Sequence, residues 1–200
     1  MKVIGVTGGV GSGKSALLSY IREKYRCKVI LADEVAHTVR EPGQSAYQQL
    51  TALLGADVLD EDGTINRLRM AEKIFASEGL RKKVNGIIHP AVKEYILAEI
   101  DRTKAEKETN WLFIEAALLI ENGYLDIVDE MWYIYAKEEV RRKRLKGARG
   151  YEDEKIDAIF GSQLTEEEFR AACSVVIDNS GSLDNACRQI DEYLMKDFAG

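Results

Sequence analysis

Near its beginning the chain reads Gly8-Gly9-Val10-Gly11-Ser12-Gly13-Lys14-Ser15, directly after the apolar segment Lys2–Val6 and at the start of a helical pattern, Lys14–Lys24. This stretch, the phosphate loop below, fits the pattern Gly-x-x-x-x-Gly-Lys-Ser/Thr at every fixed position. Glycines let a backbone wrap around a phosphate and point N–H groups inward, and the following helix offers its positive N-terminus. The lysine reaches the β- and γ-phosphates, and the serine hydroxyl ligates Mg²⁺. The loop therefore predicts binding of ATP with Mg²⁺ by these residues and Ala16; a glycine-rich turn without nucleotide is the alternative.

Short apolar segments recur along the chain and alternate with amphipathic helical patterns, which is typical of βα units around a mostly parallel sheet. Strands that are buried on both faces are short, apolar and rich in β-branched or aromatic residues. Five segments have this character: Lys2–Val6, Lys28–Leu31, Trp111–Glu115, Glu130–Tyr135 and Ser174–Ile177. The predicted fold class is α/β, a P-loop NTPase fold with three α/β/α layers and a five-stranded parallel sheet.

Helical patterns mark a second set of segments, which are Lys14–Lys24, Ser45–Leu54, Arg67–Ala76, Leu80–Ile88, Pro90–Lys107 and Leu183–Met195. We expect His89-Pro90 to end one helix and start the next. Between the second and third strands lie about eighty residues that are helical or looped, far more than an ordinary crossover connection needs. This length predicts a helical insert.

We expect a single P-loop kinase domain over residues 1–200, built from three parts. The nucleotide core covers about 1–40, 108–137 and 172–200, and the helical substrate-binding insert covers about 41–107. The segment of about 138–171 is polar and rich in both charge signs, and it resembles a helical hairpin that serves as a lid.

The overall composition indicates which kinds of binding partner, such as nucleic acid or a membrane, are not expected. The formal net charge is −6 and the isoelectric point is near 5.2, so no broad basic surface for nucleic acid or a membrane is expected. The longest apolar stretch, Trp111 to Ile120, is too short to span a bilayer. No signal-peptide pattern is present and the three cysteines are scattered, which indicates a cytoplasmic protein without a zinc site. We expect a monomer or a weak homo-oligomer.

The phosphate loop alone does not specify the reaction, because kinases, GTPases and motor ATPases share it. The Asn-Lys-x-Asp signature that reads guanine does not occur in the sequence. A short chain with a helical insert and a charged lid favours a small-molecule kinase.

Acidic residues at the predicted ends of strands are candidates for proton transfer and for organising Mg²⁺. Asp33 follows the second strand, where the carboxyl ends of parallel strands face the ligand crevice. It could accept a proton from an attacking hydroxyl, or it could be the N-cap of a helix over Glu34–Arg40. Glu115 ends the third strand and could help organise Mg²⁺, or could be a capping or solvated acid. Glu121 is a weaker candidate of the same kind.

Basic residues concentrate in the predicted lid, where most of them belong to a solvated helix face: Arg141, Arg142, Lys143, Arg144, Lys146 and Arg149. Phosphoryl transfer needs positive charge near the moving group, and Arg149, at a bend before Gly150, is the candidate. In the insert, Arg67 could contact a substrate phosphate or be a surface arginine. His89 could be a hydrogen-bonding group at a helix terminus or a substrate contact.

Taken in order, these residues resemble the dephospho-coenzyme A kinase family over nearly the whole chain. Besides the phosphate loop, the resemblance is carried by Ala32–His37, Glu41–Gly43, Asp62–Arg67, Ile74-Phe75, Ile88–Pro90, Ala117–Glu121, Gln163 and Ile177–Gly181. Ala117 stands where the family often has proline. The lid arginine is offset, because the spacing from Arg144 to Arg149 is one residue longer than usual.

The resemblance implies transfer of the ATP γ-phosphoryl group to the ribose 3′-hydroxyl of dephospho-coenzyme A, which gives coenzyme A. By the same similarity, Asp33 would be the base, Lys14 and the phosphate loop would hold ATP, and Arg149 would match the lid arginine. Substrate contacts would come from Asp33, Arg67, His89 and Glu115, and the metal ligand would be Ser15. The alternatives are another small-molecule or nucleoside monophosphate kinase and a non-catalytic ATP-binding module.

Overall fold

The computed structural model describes residues 1–198. Its chain divides into two compact units. The core unit comprises residues 1–29 and 107 onward, and the helical unit comprises Ile30–Glu106. Residues 199–200 of the predicted nucleotide core lie outside the described residues.

A five-stranded sheet forms the centre of the fold, with the spatial order β2-β3-β1-β4-β5. Its strands are β1 (Lys2–Thr7), β2 (Cys27–Leu31), β3 (Trp111–Glu115), β4 (Glu130–Tyr135) and β5 (Val175–Asp178). Strand β1 pairs in parallel with both β3 and β4, and β4 pairs in parallel with β5. The predicted α/β class with a five-stranded parallel sheet is confirmed, and the strand bounds differ from prediction by one residue at most.

Burial on both faces explains why the strands are apolar throughout. In β3, Leu112, Phe113 and Ile114 are all fully buried. The Phe113 ring meets the Trp132 ring of β4 edge to face, with 5.7 Å between centroids. This packing fixes the register that brings the carboxyl ends of β1, β3 and β4 to one edge of the sheet.

Five helices complete the core unit as described: α1 (Lys14–Lys24), α6 (Glu138–Arg149), α7 (Asp153–Gly161), α8 (Glu166–Ala172) and α9 (Leu183–Phe198). The predicted lid segment is helical, but it forms three helices rather than a two-helix hairpin. The third helix starts at a capping box in which Thr165 and Glu168 bond to each other's backbone N–H groups. This local signal starts a helix at Glu166, separate from α7.

The helical unit contains α2 (Ala32–Thr38), α3 (Tyr47–Leu54), a short 3₁₀ turn at Ala56–Val58, α4 (Arg67–Phe75) and α5 (Glu78–Glu106). Helix α4 is capped by Asn66, whose side-chain oxygen accepts from the backbone N–H groups of Leu68 and Arg69. The region between β2 and β3 is helical or looped as predicted, apart from one isolated antiparallel bridge between Leu59 and Ile65.

One prediction in this unit is wrong, because α5 runs without a break through His89-Pro90. Pro90 cannot donate to the Gly86 carbonyl, a loss that costs about 3 kcal/mol in a helix interior. Apolar side chains are buried on both sides of the proline, from Val84 to Ile100, and the helix packs against α2, α3 and α4. This packing on both halves offsets the local cost and keeps the helix whole.

Across residues 1–198, no helix combines the length and apolar character that crossing a membrane requires.

Candidate functional site

The phosphate loop connects β1 to α1 and closes around its own lysine. The Lys14 ammonium donates to the Gly8 carbonyl oxygen at 2.6 Å. Gly8 and Gly13 have φ values of +148° and +91°, in the region that disfavours side chains. A Cβ atom at Gly8 would also overlap the backbone oxygen of Ile134, and one at Gly13 would overlap the side-chain amide of Asn179. The loop thus needs glycine at these positions both for conformation and for space.

Glu115 lies beside this lysine. The pairing of β1 with β3 aligns Glu115 with Val6, just before the phosphate loop. Its carboxylate oxygen Oε1 is 3.8 Å from the Lys14 Nζ atom, and the two side chains are only 18% and 12% exposed, respectively. The structure therefore brings together two of the predicted site residues at the end of β3.

Arg141 joins the segment predicted as a lid to the phosphate loop. Its Nε atom donates to the Val10 carbonyl oxygen at 2.9 Å, and its Nη2 atom donates to Gln163 Oε1 at 2.7 Å. The same Gln163 oxygen accepts from the backbone N–H of Val10 at 3.2 Å. The guanidinium lies 4.2 Å from the centre of the Phe160 ring, and burial lowers its pKa. Arg141 and Gln163 thus form hydrogen bonds to both backbone polar groups of Val10, the carbonyl oxygen and the N–H.

Arg144, one turn further along α6, contacts the other half of the loop. Its Nη1 atom donates to the Ser12 carbonyl oxygen at 3.2 Å, and its Nη2 atom donates to the Asn179 carbonyl oxygen at 2.9 Å. The Asn179 side chain donates to the same Ser12 oxygen at 2.8 Å. Arg144 of α6 and Asn179, which directly follows β5, therefore both donate to the Ser12 carbonyl oxygen of the loop.

Three buried side-chain oxygens around the loop have no hydrogen-bond partner in the described chain, namely those of Thr7, Ser12 and Asn179. Leaving a buried polar atom unpaired costs about 1–3 kcal/mol, and native proteins contain few such atoms. Their concentration here indicates a site shaped for binding rather than for stability alone.

The residues present fit Mg²⁺ held together with a nucleotide. Ser15, in the first turn of α1, is exposed, and its hydroxyl has no hydrogen-bond partner among the described groups of residues 1–195. In that same part of the chain, no group of three or more His, Cys, Asp and Glu side chains could hold a metal ion. Mg²⁺ commonly takes one or two protein ligands and completes its shell with phosphate oxygens and water, so a single hydroxyl at the loop suits it.

Arg149, the residue proposed from sequence for the lid, ends α6 and is exposed. Its guanidinium lies 5.9 Å from the centre of the Tyr151 ring. The arginines that contact the phosphate loop in the described chain are Arg141 and Arg144, and the basic cluster in the sequence gives no signal that separates them from its other members. Gln163 and Asn179 are further residues of the site that sequence reasoning missed, although both lie in segments that carry the family resemblance. The role of Arg149 stays a prediction.

The remaining sequence-predicted residues lie in the helical unit, except Glu121, which is exposed in the turns after β3. Asp33 is the second residue of α2 and is exposed; Leu31 is the N-cap, so the alternative that Asp33 caps a helix over 34–40 is wrong. The strand β2 leads into α2 two residues earlier than expected. Arg67 is the first residue of α4 and is exposed. His89 is exposed in the interior of α5, so it is not a group at a helix terminus.

Comparisons with known proteins agree with this arrangement. The family model described as dephospho-CoA kinase matches residues 2–185. A dephospho-CoA kinase of Geobacter sulfurreducens is 37% identical over 99% of this chain and all of that protein. A dephospho-CoA kinase of Shouchella clausii is 34% identical over 96% of this chain and 97% of that protein. Among solved structures, a dephospho-CoA kinase from Campylobacter jejuni shares the fold, with a TM-score of 0.74, 21% identity and coverage of 97% of this chain and 96% of that one.

The family model and the curated relatives span the phosphate loop, the helical unit and the segment with the contacting arginines. The matched region leaves out Met1 and residues 186–200, which include most of α9. The chain therefore belongs to the dephospho-CoA kinase family.

Proposed function

We propose that the chain transfers the γ-phosphoryl group of ATP to the ribose 3′-hydroxyl of dephospho-CoA, which yields coenzyme A and ADP, the last step of CoA biosynthesis. The observation that carries the proposal is the phosphate loop itself. Its lysine, glycines and arginine contacts form a preorganised phosphate site in a chain of this family.

The loop and its lysine bind the phosphates of ATP. The backbone N–H groups of residues 8–15, with Ala16 in the first turn of α1, surround the phosphate oxygens, and Lys14 exchanges its bond to the Gly8 carbonyl for the β- and γ-phosphates. Ser15 holds Mg²⁺, which neutralises charge on the phosphates when it is bound. Glu115, which lies close to Lys14, contacts the substrate and helps to organise Mg²⁺.

The transfer step requires a group that takes the proton of the acceptor hydroxyl, and we assign this role to Asp33. The 3′-oxygen forms a bond to the γ-phosphorus, the bond from that phosphorus to the bridging oxygen of ADP breaks, and the hydroxyl proton passes to the carboxylate. Arg149 compensates charge on the moving phosphoryl group. Arg67 and His89 contact dephospho-CoA. Residues 41–107 form the acceptor-binding insert and 138–171 the lid of a single kinase domain.

We further propose that the protein acts in the cytoplasm as a monomer or a weak homo-oligomer, without nucleic acid. The support is the acidic net charge of −6 and the scattered cysteines.

An acceptor panel tests the function directly. Purified protein is incubated with ATP, Mg²⁺ and either dephospho-CoA or a nucleoside monophosphate, and both ADP and the phosphorylated acceptor are measured by mass spectrometry. We expect coenzyme A as the product and little turnover of nucleoside monophosphates. Preference for a nucleoside monophosphate, or ATP binding without product from any acceptor, would contradict the proposal.

A further inference from the structure

The helical unit contains a cavity of about 270 Å³ whose lining includes no residue of the phosphate loop. It lies where the end of α2 meets the segment leading into α4, and its lining residues are His37, Arg40, Glu41, Thr64, Ile65 and Arg67. Pockets for whole drug-sized ligands usually measure roughly 300–1,000 Å³. This cavity is therefore sized for one polar part of a larger ligand.

Arg40 is held firmly in this cavity by neutral partners. Its Nε atom donates to the Ala36 carbonyl oxygen at 2.6 Å, and its Nη1 atom donates to the Met70 sulfur at 3.8 Å. Its Nη2 atom contacts His37 Nδ1. Because an arginine can only donate, this contact is a hydrogen bond when His37 is neutral and Nδ1 accepts. These contacts fix the guanidinium and leave its charge uncompensated.

Among the side chains that the structure describes, those of residues 1–195, no carboxylate forms an ion pair with Arg40 or with Arg67. Burial lowers the pKa of Arg40, and the charge of Arg67 lowers it further. Glu41 supplies the carboxylate among the lining residues; it is exposed and makes no ion pair in the described chain. A half-buried arginine beside a second arginine is costly unless an anion compensates both.

We propose that this cavity is a phosphate subsite in which Arg40 and Arg67 bind the diphosphate of the acceptor. The assignment rests on the proposed function, since dephospho-CoA is the acceptor that carries this diphosphate. Guanidinium groups match phosphate oxygens with paired, charge-assisted hydrogen bonds, and the bonds from Arg40 to Ala36 and His37 orient one such group in advance. Ile65 gives the cavity an apolar side, where water competes less for the anion.

The kinetic test compares Arg40→Met with Arg81→Met. Methionine keeps the unbranched stem of Arg40 beside Met70, and Arg81 is an exposed arginine of α5 that lies outside the cavity. Both variants remove one positive charge from the helical unit. We expect Arg40→Met to raise the KM for dephospho-CoA about 10- to 100-fold, with a smaller rise for Arg40→Lys. The KM for ATP stays unchanged in all variants, and unfolding curves verify that each is folded. A KM for dephospho-CoA in Arg40→Met within about twofold of Arg81→Met would overturn the subsite.

A binding test separates the subsite from catalysis. Inorganic pyrophosphate is titrated calorimetrically into the whole chain while a non-hydrolysable ATP analogue with Mg²⁺ saturates the phosphate loop. Wild type and Arg81→Met should bind pyrophosphate, and Arg40→Met should bind it at least about 10-fold more weakly. Equal binding by Arg40→Met would count against the subsite. Binding through Arg40 in a chain that phosphorylates no dephospho-CoA would instead contradict the proposed function and support the anion site.

Discussion

The side-chain amide of Asn179 donates to the Ser12 carbonyl oxygen at 2.8 Å and is buried. Asn179 directly follows β5, whereas Ser12 lies in the phosphate loop. This bond joins the two ends of the core unit at the point where the loop turns into α1. The conformation of the loop therefore depends on a residue 167 positions away.

We expect Asn179→Ala to lower the free energy of unfolding by about 1–2 kcal/mol, because the Ser12 carbonyl loses a buried donor while the unpaired Asn179 oxygen is also removed. The KM for ATP should rise, since the loop loses part of its support. Urea unfolding and steady-state kinetics measure the two effects. Asn185→Ala, at an exposed position of α9, is the control; equal stability of the two variants would show that the bond to Ser12 is dispensable.

Two neighbouring glycines should respond differently to alanine. A Cβ atom at Gly8 would overlap the Ile134 backbone oxygen, and Gly8 also has a positive φ of +148°. A Cβ atom at Gly9 would overlap the guanidinium of Arg141, the end of a flexible side chain. We expect Gly8→Ala to cost about 2–3 kcal/mol or more in unfolding free energy, and Gly9→Ala about 1 kcal/mol or less. Thermal and urea unfolding provide the comparison, and a Gly9→Ala variant as unstable as Gly8→Ala would contradict it.

Replacing the proposed base should affect chemistry more than binding. General base catalysis contributes about 10²- to 10⁴-fold, so Asp33→Asn should lower kcat by that factor while both KM values change little. Glu34→Gln is a matched control, because Glu34 is also exposed and occupies the same first turn of α2. Full activity of Asp33→Asn in the coenzyme A assay would remove Asp33 from this role.

Substitutions of Arg149 and Arg144 should change different properties: kcat in the first case, and stability and ATP binding in the second. Arg149 is exposed, so Arg149→Met should leave stability unchanged and lower kcat about 10²- to 10³-fold if it compensates charge on the phosphoryl group. Arg144 donates to three backbone oxygens, those of Gly11, Ser12 and Asn179, so Arg144→Met should lower stability and weaken ATP binding. Parallel kinetics and urea unfolding distinguish the two patterns. An unchanged kcat in Arg149→Met would mean that Arg149 is not the lid arginine.

The lowered pKa of His37 predicts that the stability of the protein depends on pH. Burial lowers the pKa of His37 from its ordinary 6.5, and the charges of Arg40 and Arg67 add to this effect against those of Asp33 and Glu34. In the unfolded chain His37 keeps its ordinary pKa of 6.5, so below pH 6.5 the unfolded chain binds a proton more readily than the folded chain does. Stability is therefore lost as the pH falls from 6.5 through the lowered pKa of the folded state. We expect urea unfolding between about pH 7.5 and 5 to show this loss, and His37→Gln to reduce it relative to an exposed-histidine control, His89→Gln. An identical pH profile for the two variants would exclude His37 as a source.

Local patterns predicted the elements whose structure depends on nearby residues. Each strand was placed to within one residue because burial on both faces demands a continuous apolar run, as in Trp111–Glu115. Helix α1 was placed with both its ends correct, since the glycines before it and the helical period within it are signals in adjacent positions. Asn66, the cap of α4, likewise sits directly before the predicted start of that helix.

Local patterns failed where distant contacts decided the outcome. The proline rule placed a helix boundary at His89-Pro90, yet packing on both sides keeps α5 continuous. Aspartate favours N-cap positions, which suggested that Asp33 caps a helix, but β2 leads directly into α2 with Leu31 at the cap. The bend before Gly150 favoured Arg149 as the lid arginine, a role that stays a prediction. That Arg141 and Arg144 reach the loop depends on the packing of α6 in the core unit, which no local pattern encodes.

The phosphate loop, the parallel α/β sheet and the family resemblance follow from the sequence alone, because glycine spacing, apolar runs and ordered motifs are read from neighbouring residues. Which side chains support the loop, and which arginines remain without an acidic partner, follows only from the folded chain. Those properties depend on hydrogen bonds such as Asn179 to Ser12 and on the burial of Arg40. Both arise when segments distant in sequence pack together, and no local pattern encodes that packing.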